Sequence, residues 1–103
     1  MYLVREVFKT KPGKAKVLVK KFKDASKYFE EDSMQNLKVM TDIATSYWTV
    51  VMEYEVEDLG QFAKEVRGGG KPNPEIEKIM EGYLDLVESG FREIFLIEWY
   101  FFY

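Results

Sequence analysis

Three charged side chains, Arg5, Glu53 and Glu98, stand in the middles of runs that read as strands. An arginine between two carboxylates can grip a polar ligand group or move a proton. Among apolar neighbours such a set persists chiefly when its members pair. Aligning the centres of the three runs, at Glu6, Met52 and Ile97, places Arg5 beside Glu53 and, within one residue, beside Glu98. A structural ion pair and a ligand-binding or acid–base group both fit that placement, and a register slip of one residue would undo it.

The remaining chemical inventory is narrow. The 103-residue chain has no His and no Cys. Ser–His–Asp and Cys–His catalysis are therefore closed to it, as are thiolate- or imidazole-bound zinc, iron–sulfur clusters and His-ligated haem. A general acid or base has to be Asp, Glu, Tyr or Lys. No metal site and no cofactor is read from the sequence, and no residue is assigned as catalytic. Aromatic side chains are abundant, and those on strands include Tyr54, Trp48 and Trp99. With Arg5, Glu53 and Glu98 they form the candidate ligand-binding set, suited to a flat apolar molecule. The competing reading gives the same rings to the core and to a subunit interface.

Strands and helices must position these groups. Residues 2–10 alternate Tyr2, Val4, Glu6, Phe8 against Leu3, Arg5, Val7, Lys9 and read as a strand. Pro12 opens a helix on which Ala15, Leu18, Val19, Phe22, Ala25 and Phe29 recur at steps of three and four, broken at Glu31-Asp32-Ser33. Residues 37–43 and 47–56 read as a hairpin joined by Ala44-Thr45-Ser46. Asp58 caps a helix that should stop at the glycines of residues 68–70. Asn73-Pro74 caps another, carried by Ile76, Ile79, Met80, Tyr83, Leu84 and Val87, with Gly90 as its stop. Residues 91–103 form the last strand, apolar on both alternations, so something should cover each side. The order is βαββαβ with an interrupted second helix: an α+β, ferredoxin-like domain spanning residues 1–103, with an antiparallel sheet of expected order 4-1-3-2 and both helices on one face.

Charge is uneven. Residues 1–27 hold nine of the 15 basic side chains and two of the 18 acidic ones. Those lysines fit either a nucleic-acid patch or a solvated helix face. The lack of an Arg cluster and the acidic remainder favour the solvated face, so no nucleic-acid partner is expected. No run suits a membrane span and the first residues do not resemble a signal peptide, so no membrane partner and a cytoplasmic location are expected. Many Lys and Glu without Cys match a thermophile composition. The stretch RGGGKPNP, residues 67–74, fails the GxxxxGK[ST] phosphate-loop pattern, because Pro72 follows Lys71, and reads as a linker or lid that should be the most mobile internal segment.

A strand ending in Lys11-Pro12-Gly13-Lys14, a long amphipathic helix, a hairpin, a broken second helix and a closing aromatic strand together resemble the dimeric α+β barrel superfamily, nearest to NIPSNAP-like and antibiotic-biosynthesis-monooxygenase-like proteins. The resemblance covers nearly the whole chain. It implies a homodimer, or a higher assembly of dimers, in which two ferredoxin-like subunits pack sheet to sheet. Its members include cofactor-free monooxygenases, isomerases, dehalogenating lyases and haem-degrading enzymes. The last use an Asn–Trp–His set that a chain without His cannot form. Three functions are consistent with the sequence: a dimeric barrel protein that binds a small apolar or aromatic molecule, a cofactor-independent monooxygenase or isomerase, and a non-catalytic assembly module.

Overall fold

The computed structural model describes residues 1–29 and 33–101. The expected break at Glu31 and Asp32, and Phe102 and Tyr103 of the final run, lie outside the described residues. The elements are β1 (Tyr2–Thr10), α1 (Ala15–Ser26), β2 (Gln35–Thr41), β3 (Thr49–Val56), α2 (Leu59–Lys64), α3 (Pro74–Met80) and β4 (Val87–Leu96). A π-helical turn (Glu65–Gly69) extends α2, and a 3₁₀ turn (Tyr83–Leu86) leads into β4. The strands form one antiparallel sheet in the order β2-β3-β1-β4, the ferredoxin-like arrangement expected from the sequence.

Helix caps follow from residue type. The Asp58 carboxylate accepts from Gln61 N at 2.9 Å, and Asn73 Oδ1 accepts from Glu75 N at 3.0 Å ahead of Pro74. Lys21 on α1 does more than keep a face solvated. Its ammonium donates to the carbonyls of Ile79 and Glu81 at 3.0 and 2.9 Å, occupying acceptors at the end of α3 and tying the two helices together. Ala15, Leu18, Phe22 and Ala25 form the buried stripe of α1, and the first three pack in one cluster with Val4, Val50, Met52 and Tyr54 of the sheet.

The sheet has two unlike faces. Val4, Glu6 and Thr10 on β1 and Val50, Met52, Tyr54 and Val56 on β3 are buried under the helices. Leu3, Arg5 and Val7, with Val51, Glu53 and Glu55, alternate onto the open face.

The last third of the chain departs from the sequence reading. The helix before β4 ends at Met80: Glu81 leaves helical geometry and Gly82 adopts φ 81°, a left-handed conformation that glycine takes without strain. Gly90, expected to stop that helix, instead sits inside β4 opposite Phe8, where a Cβ would lie 2.9 Å from the Val7 carbonyl oxygen. β4 thus begins at Val87 and ends at Leu96, and the register shifts with it. Arg5 faces Glu93, not Glu98. Glu98 lies beyond the sheet and is exposed. The expectation that Glu98 joins Arg5 and Glu53 is therefore wrong, and Glu93 takes its place.

A smaller difference lies in the hairpin. The hairpin loop runs over residues 42–48, because Asp42 Oδ1 accepts from Thr49 N at 2.9 Å, so that β2 ends at Thr41, having begun at Gln35, and β3 begins only at Thr49. The glycines of residues 68–70 do break the helical path, as expected: Gly68 takes φ 90°, a left-handed conformation. The turn that follows α2 kinks at Gly68, and beyond the kink a Cβ on Gly69 would meet the Lys64 carbonyl oxygen at 2.8 Å.

Candidate functional site

Under the helices the sheet does not pack solid. A cavity of about 600 Å³ lies between its covered face and the segments around α1 and α3, and one of about 380 Å³ adjoins it toward the π-helical turn. Phe29, Met34, Tyr54 and Ile76 line both. The walls of the larger are mostly apolar, with Phe8, Phe22, Met52 and Met80 prominent. Gly70, Lys71 and Asn73 border the smaller, so the glycine linker forms part of its rim. The volumes match those of small-molecule sites, roughly 300–1,000 Å³.

Three polar side chains from three neighbouring strands meet on the cavity floor. Glu6 on β1 stands opposite Arg92 on β4, and Tyr54 approaches from β3. Glu6 is buried, at 8% exposure. Its Oε1 accepts a close hydrogen bond from Arg92 Nε and another from the Tyr54 hydroxyl at 3.3 Å. The Arg92 guanidinium carbon also lies 5.5 Å from the centre of the Phe62 ring, within cation–π range. Burial, and then the Glu6 charge, push the Tyr54 phenol well above its ordinary pKa, so it stays protonated and donates to Glu6. The bond to Glu6 likewise raises the Arg92 pKa and keeps the guanidinium charged.

This arrangement is stronger in binding than in proton transfer. Tyr54 has committed its one proton to Glu6, and Glu6 is held by two donors. Arg92 retains capacity: Nε goes to Glu6, and among the described residues no hydrogen bond is made by Nη1 or Nη2, which leaves up to four N–H donors. Those amino groups, with the Tyr83 hydroxyl on the same wall, are donors the cavity offers. Glu77 lines the same space, so with Glu6 and Arg92 the cavity carries more negative than positive charge. No group of His, Cys, Asp or Glu among the described residues could hold a metal ion.

Of the six candidate ligand-binding residues read from the sequence, Tyr54 alone lines these cavities. Arg5 and Glu53 do meet, on the opposite side of the sheet: Arg5 Nε lies 3.2 Å from Glu53 Oε2, near enough for charge attraction though off the line of a hydrogen bond. Arg5 is also 4.0 Å from Glu93. Trp48 precedes β3 in a left-handed conformation, φ 63°, and its carbonyl accepts from Thr10 N and Thr10 Oγ1 at 2.8 and 3.2 Å. Trp99 lies past β4, 76% exposed, edge-on to Phe101. The sequence reading missed Glu6 and Arg92. The signal for Glu6 was present: it is the one charge on the alternation Tyr2, Val4, Phe8.

The fold locates the chain among known structures. No family model and no curated protein matches its sequence. Solved structures do match. An uncharacterized NIPSNAP domain protein from Burkholderia xenovorans superposes with a TM-score of 0.71 at 14% identity, covering 94% of both chains. An antibiotic biosynthesis monooxygenase-like protein from Chloroflexus aurantiacus gives 0.69 at 8% identity over 96% of this chain and 95% of its own. A third, of the same description, from Nitrosomonas europaea gives 0.71 at 13% identity over 96% and 100%. The chain has the NIPSNAP and antibiotic-biosynthesis-monooxygenase fold. Identities this low carry the fold, and the site has to be argued from its own residues.

Proposed function

We propose that the protein binds a small, neutral, largely apolar or aromatic molecule in the cavity between sheet and helices, as a homodimer joined through the open faces of its sheets. The observation that carries the binding reading is the Glu6–Arg92–Tyr54 cluster on the floor of an otherwise apolar cavity. Apolar walls reward removal of a hydrophobic body from water. The spare Arg92 amino groups reward one acceptor oxygen, such as a carbonyl, ether or hydroxyl, on that body. A carboxylate ligand is disfavoured, because Glu6 already neutralises Arg92 and Glu77 adds repulsion. The locked proton of Tyr54 favours binding over acid–base turnover.

The dimer reading rests on the open face. Phe91 and Phe95 are 57% and 48% exposed there, beside Leu3, Val7 and Val51. An apolar patch of this kind on a small domain marks an interface. Sedimentation at micromolar protein should show a dimer; a stable monomer would remove this half of the proposal.

Calorimetric titration with 1-naphthol and 1-naphthoate tests the binding half. These probes share an apolar body and differ in charge. Naphthol should bind at least tenfold more tightly, and Arg92→Leu should weaken it. Equal or preferential binding of naphthoate would overturn the assignment.

A further inference from the structure

The open face carries a row of charges that alternates in sign across all four strands. Lys38 on β2 pairs with Glu53 on β3, Glu53 with Arg5 on β1, and Arg5 with Glu93 on β4, all in register. The side chains touch as well: Lys38 Nζ lies 3.4 Å from Glu53 Oε1, and the Arg5 contacts to Glu53 and Glu93 are 3.2 and 4.0 Å. Read from edge to edge the row is plus, minus, plus, minus. Beside it runs an apolar row in the same register, Met40, Val51, Val7 and Phe91.

We infer that this ladder fixes how two copies of the chain face each other, with the two-fold axis running along the strands, between β1 and β3, in the plane of the interface. The inference rests on the dimer reading above and goes beyond it by naming the residues that set its geometry. Such an axis reverses the order of the row as it turns the partner sheet over. Lys38 then meets the partner's Glu93, and Glu53 meets the partner's Arg5. Every charge of the row faces its opposite. The same operation lays Met40 on the partner's Phe91 and Val51 on the partner's Val7, so the apolar row lands on itself. Sheets packed in this aligned manner cross at about 30° and lie about 10 Å apart, a gap that Lys, Arg and Glu side chains span.

An axis running across the strands does the reverse. Each charge of the row then faces its own copy, Lys38 on the partner's Lys38. Charge complementarity contributes more to orientation and partner choice than to raw affinity, because juxtaposed like charges are costly. The ladder therefore selects one of two otherwise similar sheet-on-sheet dimers. An isologous interface needs a surface complementary to itself, and a row of four alternating charges meets that condition only about the strand-parallel axis.

The test is self-sorting. A fully reversed ladder, Lys38→Glu, Glu53→Lys, Arg5→Glu and Glu93→Lys together, keeps every contact within a subunit and reads minus, plus, minus, plus. It should dimerise with itself. Co-expressed with the unaltered chain, it should give almost no mixed dimer by native mass spectrometry, because all four facing charges then repel. Should the fourfold variant fail to fold, Lys38→Glu/Glu93→Lys gives the same reading through the two outer contacts. Mixed dimers formed as often as chance allows would show that the rows do not face each other. Mixed dimers in excess would establish the axis across the strands. A folded reversed variant that stays monomeric beside a dimeric unaltered chain would also overturn the inference. If the unaltered chain is itself monomeric, the dimer reading falls and the inference with it.

Discussion

The two faces of the sheet solve the problem of charge in different ways. On the helix-covered face, one carboxylate is buried in an apolar cavity and held by a guanidinium and a phenol. On the open face, four charges share a ladder whose members are 15–57% exposed and hold one another loosely, at 3.2–4.0 Å. A buried charge has to be compensated within its own chain. A half-exposed row still has water, so its energetic consequence waits for whatever covers it. Adjacent residues on a strand point to opposite faces, which is how Arg5 and Glu6, one residue apart, come to lie in different environments.

The contrast predicts unequal costs of disruption. Arg92→Met should lose the most, about 3 kcal/mol in denaturant unfolding, because it leaves Glu6 buried without its cation. That is the low end for a buried pair, since the Arg92 side chain is itself 41% exposed. A loss under about 1 kcal/mol would put the pair in the same class as the ladder and erase the distinction. Tyr54→Phe should cost about 1 kcal/mol, the usual net worth of one hydrogen bond, and should leave the open face untouched.

Arg5→Met should cost the folded subunit about 1 kcal/mol or less, because Glu53 keeps Lys38 as a partner. Its effect should appear instead in the dissociation constant of the proposed dimer. Equal unfolding losses for Arg5→Met and Arg92→Met would contradict the comparison.

The smallest effect is expected at the sheet's rim. The Tyr100 hydroxyl donates to Glu55, and this bond, with one from Asn36, holds the Glu55 carboxyl below its ordinary pKa. A depressed carboxylate pKa gives stability that is present above the unfolded-state value and is lost as pH falls through the folded-state value. Tyr100→Phe should move the Glu55 titration up toward an ordinary glutamate, and carbon-detected NMR would read the shift. No movement would mean that Tyr100 does not bear on Glu55.

Much of the architecture was legible because hydrophobic period and caps agree. Asp58 and Asn73-Pro74 marked helix starts, and Tyr2, Val4 and Phe8 marked the buried side of β1. The Arg5–Glu53 pairing followed from strand alignment. What failed was the register of β4. Residues 81–90 contain two glycines with opposite roles, Gly82 ending a helix and Gly90 sitting in a strand, and nothing local tells them apart. Misplacing that boundary moved Glu98 into the sheet and hid Glu93. It also hid Arg92, whose partner Glu6 had been visible as an isolated charge on an apolar alternation. The cavity was not legible at all, since it depends on helices that leave the sheet partly uncovered.

The central claim is that the cavity under the helices, not the open face, receives the ligand. Methionine methyls report on both. Met34, Met52 and Met80 line the cavity, and Met40 lies in the open-face row. With methyl-labelled methionine, titration of 1-naphthol should shift the resonances of Met34, Met52 and Met80 together and saturably, with Met40 unmoved. Shifts confined to Met40, or no saturable shift at the three cavity methyls, would contradict the account.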